Sequence, residues 1–454
     1  MENRILAKDT KDNTGKVILV KGWVRTRRDH GKLIFLDLKD RSGILQIVVN
    51  EKVSQNAYKV AQSLRSEDVI AVEGRVNKRP DHLINTKIIS GSVELEASDI
   101  NILSKADTLP FDMGTEFLNL ELPTLLDYRS LTLRHPSVTA IFKVQAAIVE
   151  AFREIAKELE CMEIFVPTIV ASATEGGADV FMITYYQHKA YLAQSPQLYK
   201  QMLVPIFERV FTIAHAYRAE PSVTTRHLSE ITQIDMEMGF LEFEQLLDIL
   251  EYVGTSMLTK ASKSCSEVLE LYKVDFPLVA KKTPRLTLKE SQDIISKRTG
   301  RDLTKELDLN PEDEVEICNW AKEVHKSDFV TITHFPLSKK PFYTKADPKN
   351  PKLSLSYDLL FRGREILSGS QRVNDYDELV DAIKKRGLNE SSFNMYLQAF
   401  KYGMPKEGGF SFGLERLTQQ LLKLPNIREA SLYPRDMERV DERFSISEAK
   451  KKKA

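Results

Sequence analysis

In the segment FTIAHAYRAE (211–220), strand alternation puts Phe211, Ile213, His215 and Tyr217 on one face and Arg218 with Glu220 on the other. The polar stretch PSVTTRHLSE follows, carrying Arg226 and His227. Next, ITQIDMEMGF sets Gln233, Asp235 and Glu237 opposite Ile234, Met236, Met238 and Phe240. One strand of this kind is most simply a solvated sheet face. Two in succession, paired as a long hairpin, make a polar floor over an apolar underside. Such a floor can grip a phosphate with arginine and an ammonium with aspartate.

Two further segments carry chemistry. In LSLSYDLLFRGREILSGSQR (353–372), a two-residue turn at Arg362-Gly363 sets Leu360 opposite Glu365 and leaves Asp358 on the same face, diagonal to Glu365. Two hard carboxylates so placed suit Mg²⁺ shared with nucleotide phosphates, although a plain polar hairpin has the same pattern. Ser368, Gly369, Ser370, Gln371 and Arg372 follow, small residues for close backbone approach and then a cation. In GGFSFGLERLTQQLL (408–422), glycines lead into a helix striped by Leu414, Leu417, Leu421 and Leu422. Arg416 departs from that stripe near the helix start, where the dipole favours anions. Stacking on a nucleobase or pairing with a phosphate accounts for it, as does a surface position.

The elements that must hold these residues fall into two parts. Residues 17–105 hold five strand-like runs, with a helical stretch near 53–66 between the third and fourth, which predicts a small barrel of the OB type. Residues 107–136, with Pro110, Pro123 and Pro136, predict a hinge or linker. From Ser137, apolar residues recur at steps of three and four, predicting a long amphipathic helix over 137–160 and then a strand over Ile164 to Ile169. The strands and helices beyond mix without a repeated strand-helix-strand unit, so an α+β domain with an antiparallel sheet is expected over 137–454, after a barrel over 1–106.

The 454 residues allow two or three domains, and 42% hydrophobic with 29% charged residues excludes a disordered or collagen-like chain. Lys plus Arg and Asp plus Glu both total 65, so any polyanion must be held by local patches. Cys161, Cys265 and Cys318 fit no zinc spacing and close no full disulfide framework, which predicts free thiols in the reducing cytoplasm. The N-terminal stretch has no apolar core of a secretion signal, and no run is long and apolar enough to span a membrane. The run Lys450 to Lys453 reads most simply as a solvated tail, with RNA phosphate contact as the alternative.

Three stretches in this order resemble the signature motifs of class II aminoacyl-tRNA synthetases: the long helix leading to Pro167, the Arg218 hairpin, and the Gly-Leu-Glu-Arg helix. With the barrel in front, the chain is similar to the aspartyl, asparaginyl and lysyl subgroup over nearly all of 17–436. TEGGADVF (174–181), QSPQLYKQ (194–201) and YRAEPSVTTRH (217–227) look most like its aspartyl members. The resemblance implies an antiparallel sheet flanked by helices, and a homodimer formed through the first motif. It implies two steps: aspartate and ATP give aspartyl-adenylate, and the aspartyl group then passes to tRNA(Asp), with tRNA(Asn) left open as a second acceptor. Arg218 and Arg416 would be catalytic, holding phosphate charge. Glu220, Arg226, His227 and Glu365 would complete the ATP site, and Asp358, Glu365 and Ser368 would hold Mg²⁺. Glu175, Ser195, Gln197, Gln233, Asp235 and Ser368 would surround aspartate, with Lys200 and Arg372 on its side-chain carboxylate. Ile231 stands where the family usually has an aromatic under the adenine. The chain also lacks the large insert of many bacterial aspartyl enzymes, so it resembles the compact archaeal and eukaryotic type.

The cations can be argued without the family. A buried carboxylate needs a positive partner, whereas asparagine needs an acceptor for its amide NH₂. Asparaginyl members place an acid where Lys200 stands, which favours aspartate. An asparaginyl enzyme is the nearest alternative. A silent tRNA-binding paralogue is a second, opposed by the joint presence of Arg218, Glu365 and Arg416. In the barrel, KLIFLDLKD sets Phe35 beside Asp37 on the polar face, a stacking platform for single-stranded bases or a small core contact. Arg28, Phe35 and Gln46 match anticodon-binding positions of the family, and Arg25, Arg27, Lys32, Arg75, Lys78 and Arg79 are free to serve phosphates. Gly176 and Gly177 beside Glu175 predict that Thr174 to Phe181 is a lid over the amino acid.

Overall fold

A computed structural model describes residues 4–171, 179–221 and 224–444. The chain divides into two compact units between Leu120 and Glu121, inside the expected hinge.

The first unit is a closed barrel of β1 (Val17–Asp29), β2 (Leu33–Asp40), β3 (Gly43–Asn50), β4 (Val69–Lys78) and β5 (Val93–Ser104), in the order β1-β2-β3-β5-β4. Closure removes the free edges that five short strands would otherwise expose. Alternation fills it: Val24, Ile34, Leu36, Ile47, Val49, Val72 and Leu95 point inward and are fully buried. Helix α1 (Gln55–Ser63) starts at Ser54, whose hydroxyl accepts from the Ala57 N–H, and it packs Ala57 and Ala61 on the barrel. The expected OB-type barrel with one helix between its third and fourth strands is what forms.

The second unit is built on an eight-stranded sheet. Its parts, in chain order, begin with α2 (Pro136–Glu158), β6 (Met162–Glu163), α3 (Gln197–Phe207), β7 (Arg209–Tyr217) and β8 (Glu230–Gly239). They continue with α4 (Phe243–Ser264), β9 (Arg285–Thr287), β10 (Phe329–Thr333), β11 (Ser356–Phe361) and β12 (Arg364–Gln371), and end with α5 (Asn394–Lys401), β13 (Glu407–Gly413) and α6 (Leu414–Leu422). The sheet order is β9-β10-β11-β12-β13-β8-β7-β6, antiparallel through the middle and parallel only at the two edge pairs. Helices α2, α4 and α6 cover one face, where Phe152, Met236, Leu250, Leu359, Phe412 and Leu417 form a common core. Each such side chain contributes about 1.5–3 kcal/mol when fully buried.

Two local differences from expectation have simple causes. The strand expected over Ile164 to Ile169 is broken, with only Met162–Glu163 and Ile169–Val170 paired. Pro167 cannot donate to a ladder, and Phe165 is 87% exposed. The hinge is also partly ordered: short helices Leu122–Asp127 and Arg129–Thr132 occupy it, and the Arg129 guanidinium donates to the carbonyls of Glu429 and Leu432 at 3.0 and 2.8 Å. Among the described residues no helix is long and apolar enough to cross a membrane, and the three cysteines are unpaired.

Candidate active site

Strand register assembles the site. β7 and β8 form the long hairpin, Tyr217 opposite Glu230, and β13 pairs with the other side of β8. Asp358, Ser368, Ser411, Asp235 and Thr212 therefore lie side by side in one row across β11, β12, β13, β8 and β7. The turn at Arg362-Gly363 has positive φ at both residues, 48° and 87°, and sets Leu360 opposite Glu365 as expected. A bulge follows, so that Asp358 faces Ser368.

A cavity of about 360 Å³ opens on this face, a volume suited to a small-molecule ligand. Arg218, Glu220, Arg226, His227, Glu365 and Arg416 all line it. So do Ser195, Gln197, Gln233, Ser368 and Arg372. Ile231 is on the same wall. Glu175 and most of the expected lid lie outside the described residues.

The nucleotide-assigned end is open. The Arg218 backbone N–H donates to the Ser229 carbonyl at 2.9 Å, continuing the hairpin, while its guanidinium lies 3.8 Å from Glu220. His227 Nε2 is 3.4 Å from the other Glu220 oxygen. Arg416 donates to the Glu365 carbonyl at 3.0 Å and lies 3.3 Å from its carboxylate. Asp358 is enclosed behind Ser368, and burial pushes its carboxyl up to about 6; Lys340, 3.4 Å away, pulls it back, and Glu365 pushes it further. No group of three or more His, Cys, Asp or Glu side chains placed to hold a metal occurs among the described residues. A pair of mutually repelling carboxylates with a serine hydroxyl nevertheless fits Mg²⁺, which takes few protein oxygens and completes its shell with phosphates and water.

The other end is closed and charged. Lys200, on α3, is fully buried; its Nζ donates to Asp235 at 2.7 Å and lies 3.2 Å from Glu237. Arg372 Nε donates to Glu237 at 2.7 Å, and Gln197 Nε2 donates to the same carboxylate at 3.1 Å. Burial alone raises the Glu237 carboxyl, but the Arg372 guanidinium and Lys200 ammonium hold it below the usual range. Burial also raises Asp235, against the pull of Lys200. Gly409 is required here: a Cβ would collide with the Met236 carbonyl and the Glu237 carboxylate. Its own carbonyl accepts from Arg372 at 3.0 Å. The Gln233 Oε1 is buried without a hydrogen-bond donor.

The sequence reading places Lys200 against the substrate, yet the ammonium lies beneath the floor, and of the two cations only Arg372 lines the cavity. Glu237 was on the polar face of its strand, so a signal for it existed. Glu407 gave none, because its hydrogen-bond partner Gln201 is 206 positions away in sequence.

On the barrel, Arg28 pairs with Phe35 and Asp37 with Gln46 across β1, β2 and β3. The three expected anticodon residues therefore share one surface. Phe35 is half-buried, with His30 edge-on at 5.5 Å. Arg28 forms two bonds to Asp37, at 2.9 and 3.1 Å, and Gln46 donates to Glu94 at 3.1 Å. Arg79, counted among the phosphate-binding cations, is instead buried and paired with Glu94 at 3.4 Å.

Both units of the chain are similar to known proteins. Residues 18–103 match OB-fold nucleic acid binding domains. Aspartate--tRNA(Asp/Asn) ligase of Thermus thermophilus is 38% identical over 96% of this chain and 99% of its own length. Aspartate--tRNA(Asp) ligase of Pyrococcus horikoshii is 39% identical over 95% and 97%. Among solved structures, asparaginyl-tRNA synthetase of Pyrococcus horikoshii with asparaginyl-adenylate superposes with a TM-score of 0.88 at 29% identity, covering 97% of this chain and 100% of that one. Residues 121–437 match tRNA synthetases class II (D, K and N), and the chain belongs to that family of aminoacyl-tRNA synthetases.

Proposed function

We propose that the chain is an aspartate–tRNA ligase. The aspartate α-carboxylate attacks the α-phosphorus of ATP and pyrophosphate leaves. The 3′-hydroxyl of the terminal tRNA adenosine then attacks the aspartyl carbonyl, loses its proton and releases AMP. The observation that carries this reading is the amino-acid end, where Arg372 reaches the cavity while it and Lys200 balance the two buried acids Asp235 and Glu237. Arg372 takes the side-chain carboxylate, and Gln233, with its unpartnered oxygen, takes the ammonium, while Asp235, enclosed and bonded to Lys200, adds its charge from beneath. Ser195 and Gln197 lie beside the amino acid, and Glu175 is assigned to the ammonium by resemblance alone.

Arg218 and Arg416 hold phosphate charge as it develops, with Glu220, Arg226 and His227 orienting the nucleotide. Asp358, Glu365 and Ser368 would hold Mg²⁺, which would offset charge on the phosphates. Catalysis is then positioning and electrostatics, with no side-chain nucleophile. On the barrel, Arg28, Phe35 and Gln46 read the anticodon of tRNA(Asp), with tRNA(Asn) as a second acceptor to be tested. The chain works as a cytoplasmic homodimer through α2 and the segment after it, where the large apolar side chains of Met162 and Phe165 stand exposed.

The asparaginyl reading draws on the 0.88 likeness to an asparaginyl enzyme but meets the Lys200 and Arg372 cations. Amino-acid-dependent pyrophosphate exchange separates the two. Exchange with aspartate and none with asparagine is expected; the reverse preference sinks the proposal, and no exchange with either favours a tRNA-binding paralogue.

A further inference from the structure

Glu407 opens β13 under the amino-acid end of the cavity and has no part in the steps above. It is fully buried. Its Oε1 accepts one hydrogen bond, from Gln201 Nε2 at 2.8 Å, and its Oε2 has none. Gln201 is held in turn by the Tyr396 hydroxyl, which donates to its oxygen at 3.1 Å. The charged groups facing Glu407 are Glu237 on β8, Arg372 after β12 and Lys200 on α3, with Tyr396 on α5 as a further titratable group.

An ionised carboxylate with one amide partner and one orphaned oxygen, beside a second carboxylate, is a costly buried charge. Both cations are already committed. Lys200 is bonded to Asp235, and Arg372 makes paired bonds to Glu237. Burial, followed by the Glu237 charge, drives the Glu407 carboxyl well above its ordinary range.

We propose that Glu407 works as a neutral carboxylic acid, which keeps the amino-acid end of the cavity free of excess negative charge. With Glu407 neutral, the two cations Lys200 and Arg372 balance the two acids Asp235 and Glu237 at this end of the cavity. An aspartate zwitterion with net charge −1 then meets no excess negative charge. With Glu407 ionised, the same floor carries −1 and penalises aspartate relative to asparagine, which has no net charge. The inference rests on the aspartate reading above.

The test compares the parent with Glu407→Gln, which keeps a neutral group of the same shape and an acceptor for Gln201. Infrared difference spectra at pH 7 should show the carbonyl stretch of an un-ionised carboxylic acid in the parent, lost in the variant. The aspartate KM and the aspartate-over-asparagine ratio in pyrophosphate exchange should stay within about fivefold of the parent. An absent band overturns the proposal. So does a larger change in either direction, since removing a buried charge would shift aspartate selectivity. Failure of Glu407→Gln to fold overturns it too, because a neutral acid tolerates a neutral amide in its place. A parent that exchanges with asparagine and not aspartate marks failure of the aspartate reading instead.

Discussion

At the amino-acid end of the cavity, Lys200, Asp235 and Glu237 are fully enclosed and bonded to one another, whereas at the nucleotide end Arg218, Glu220 and His227 each keep over a third of the side chain in solvent. The floor is set before any ligand arrives. Its charges are fixed by α3, β8 and the end of β12, so it can discriminate a carboxylate from an amide without rearranging. The rim pairs loosely, at 3.4 to 3.8 Å, and its arginines are available to exchange Glu220 for phosphate. On the proposed function, selectivity is placed where the fold is stiff, and charge stabilisation where side chains can follow the reaction.

Breaking the floor should have the largest effect. Lys200→Ala leaves Asp235 and Glu237 short of a cation inside the protein, costing about 3–5 kcal/mol of stability. Aspartate-dependent exchange should fall by about a thousandfold or more. Denaturant melting and exchange measured side by side check this; a variant as stable as the parent would mean that the acids shed their charge when the lysine is lost.

Breaking the rim should be gentler on the fold and specific to turnover. Arg218→Ala should lower kcat by about 10²–10³-fold while the urea midpoint stays put, because its charge matters most as the α-phosphate gains negative charge. Adenylate formation within a few-fold of the parent would show that the hairpin does not serve ATP.

The barrel gives a third level. Stacking on an aromatic is worth roughly 1–3 kcal/mol per base, so Phe35→Ala should weaken tRNA charging by about one to two powers of ten. Exchange without tRNA should be nearly unchanged. Loss of that exchange would mark Phe35 as a support of the fold.

The smallest effect on activity is expected at Glu415, a buried acid on the otherwise open rim that accepts from the Thr232 N–H at 3.0 Å. Burial raises its carboxyl from 4.5 to about 7. Within that window the folded chain holds a proton that the unfolded chain has released. Its contribution to stability is full below about pH 4.5 and is lost as pH rises through about 7. Glu415→Gln should flatten that part of the stability profile, measured by urea unfolding across pH 4 to 8.

Much of the architecture was legible because its causes are local. The alternation in VILVKGWV and KLIFLDLKD places β1 and β2 without reference to the rest of the chain, and the apolar stripe of 414–422 places α6. The Arg362-Gly363 turn and the pairing it imposes also follow from adjacent residues. Expectation failed where a local pattern met a local exception, as at Pro167, or where a charged residue was taken to be exposed. Arg79, just past the end of β4, reads as a surface cation, yet it is buried and paired with Glu94 on the neighbouring strand.

The sequence by itself determined which residue types stand at the site: arginines, paired carboxylates and the two cations Lys200 and Arg372, to which the proposed function gives phosphate, a hard cation and an acidic side chain. Only the tertiary structure decided which of them touch the cavity and which act from beneath it. Gln201 and Glu407 are 206 positions apart, and Arg372 and Glu237 are 135 apart, yet each pair is hydrogen-bonded in a site that excludes solvent. No local period records such pairings, because whether a charge is solvated, paired or neutralised depends on burial, and burial is set when distant elements pack.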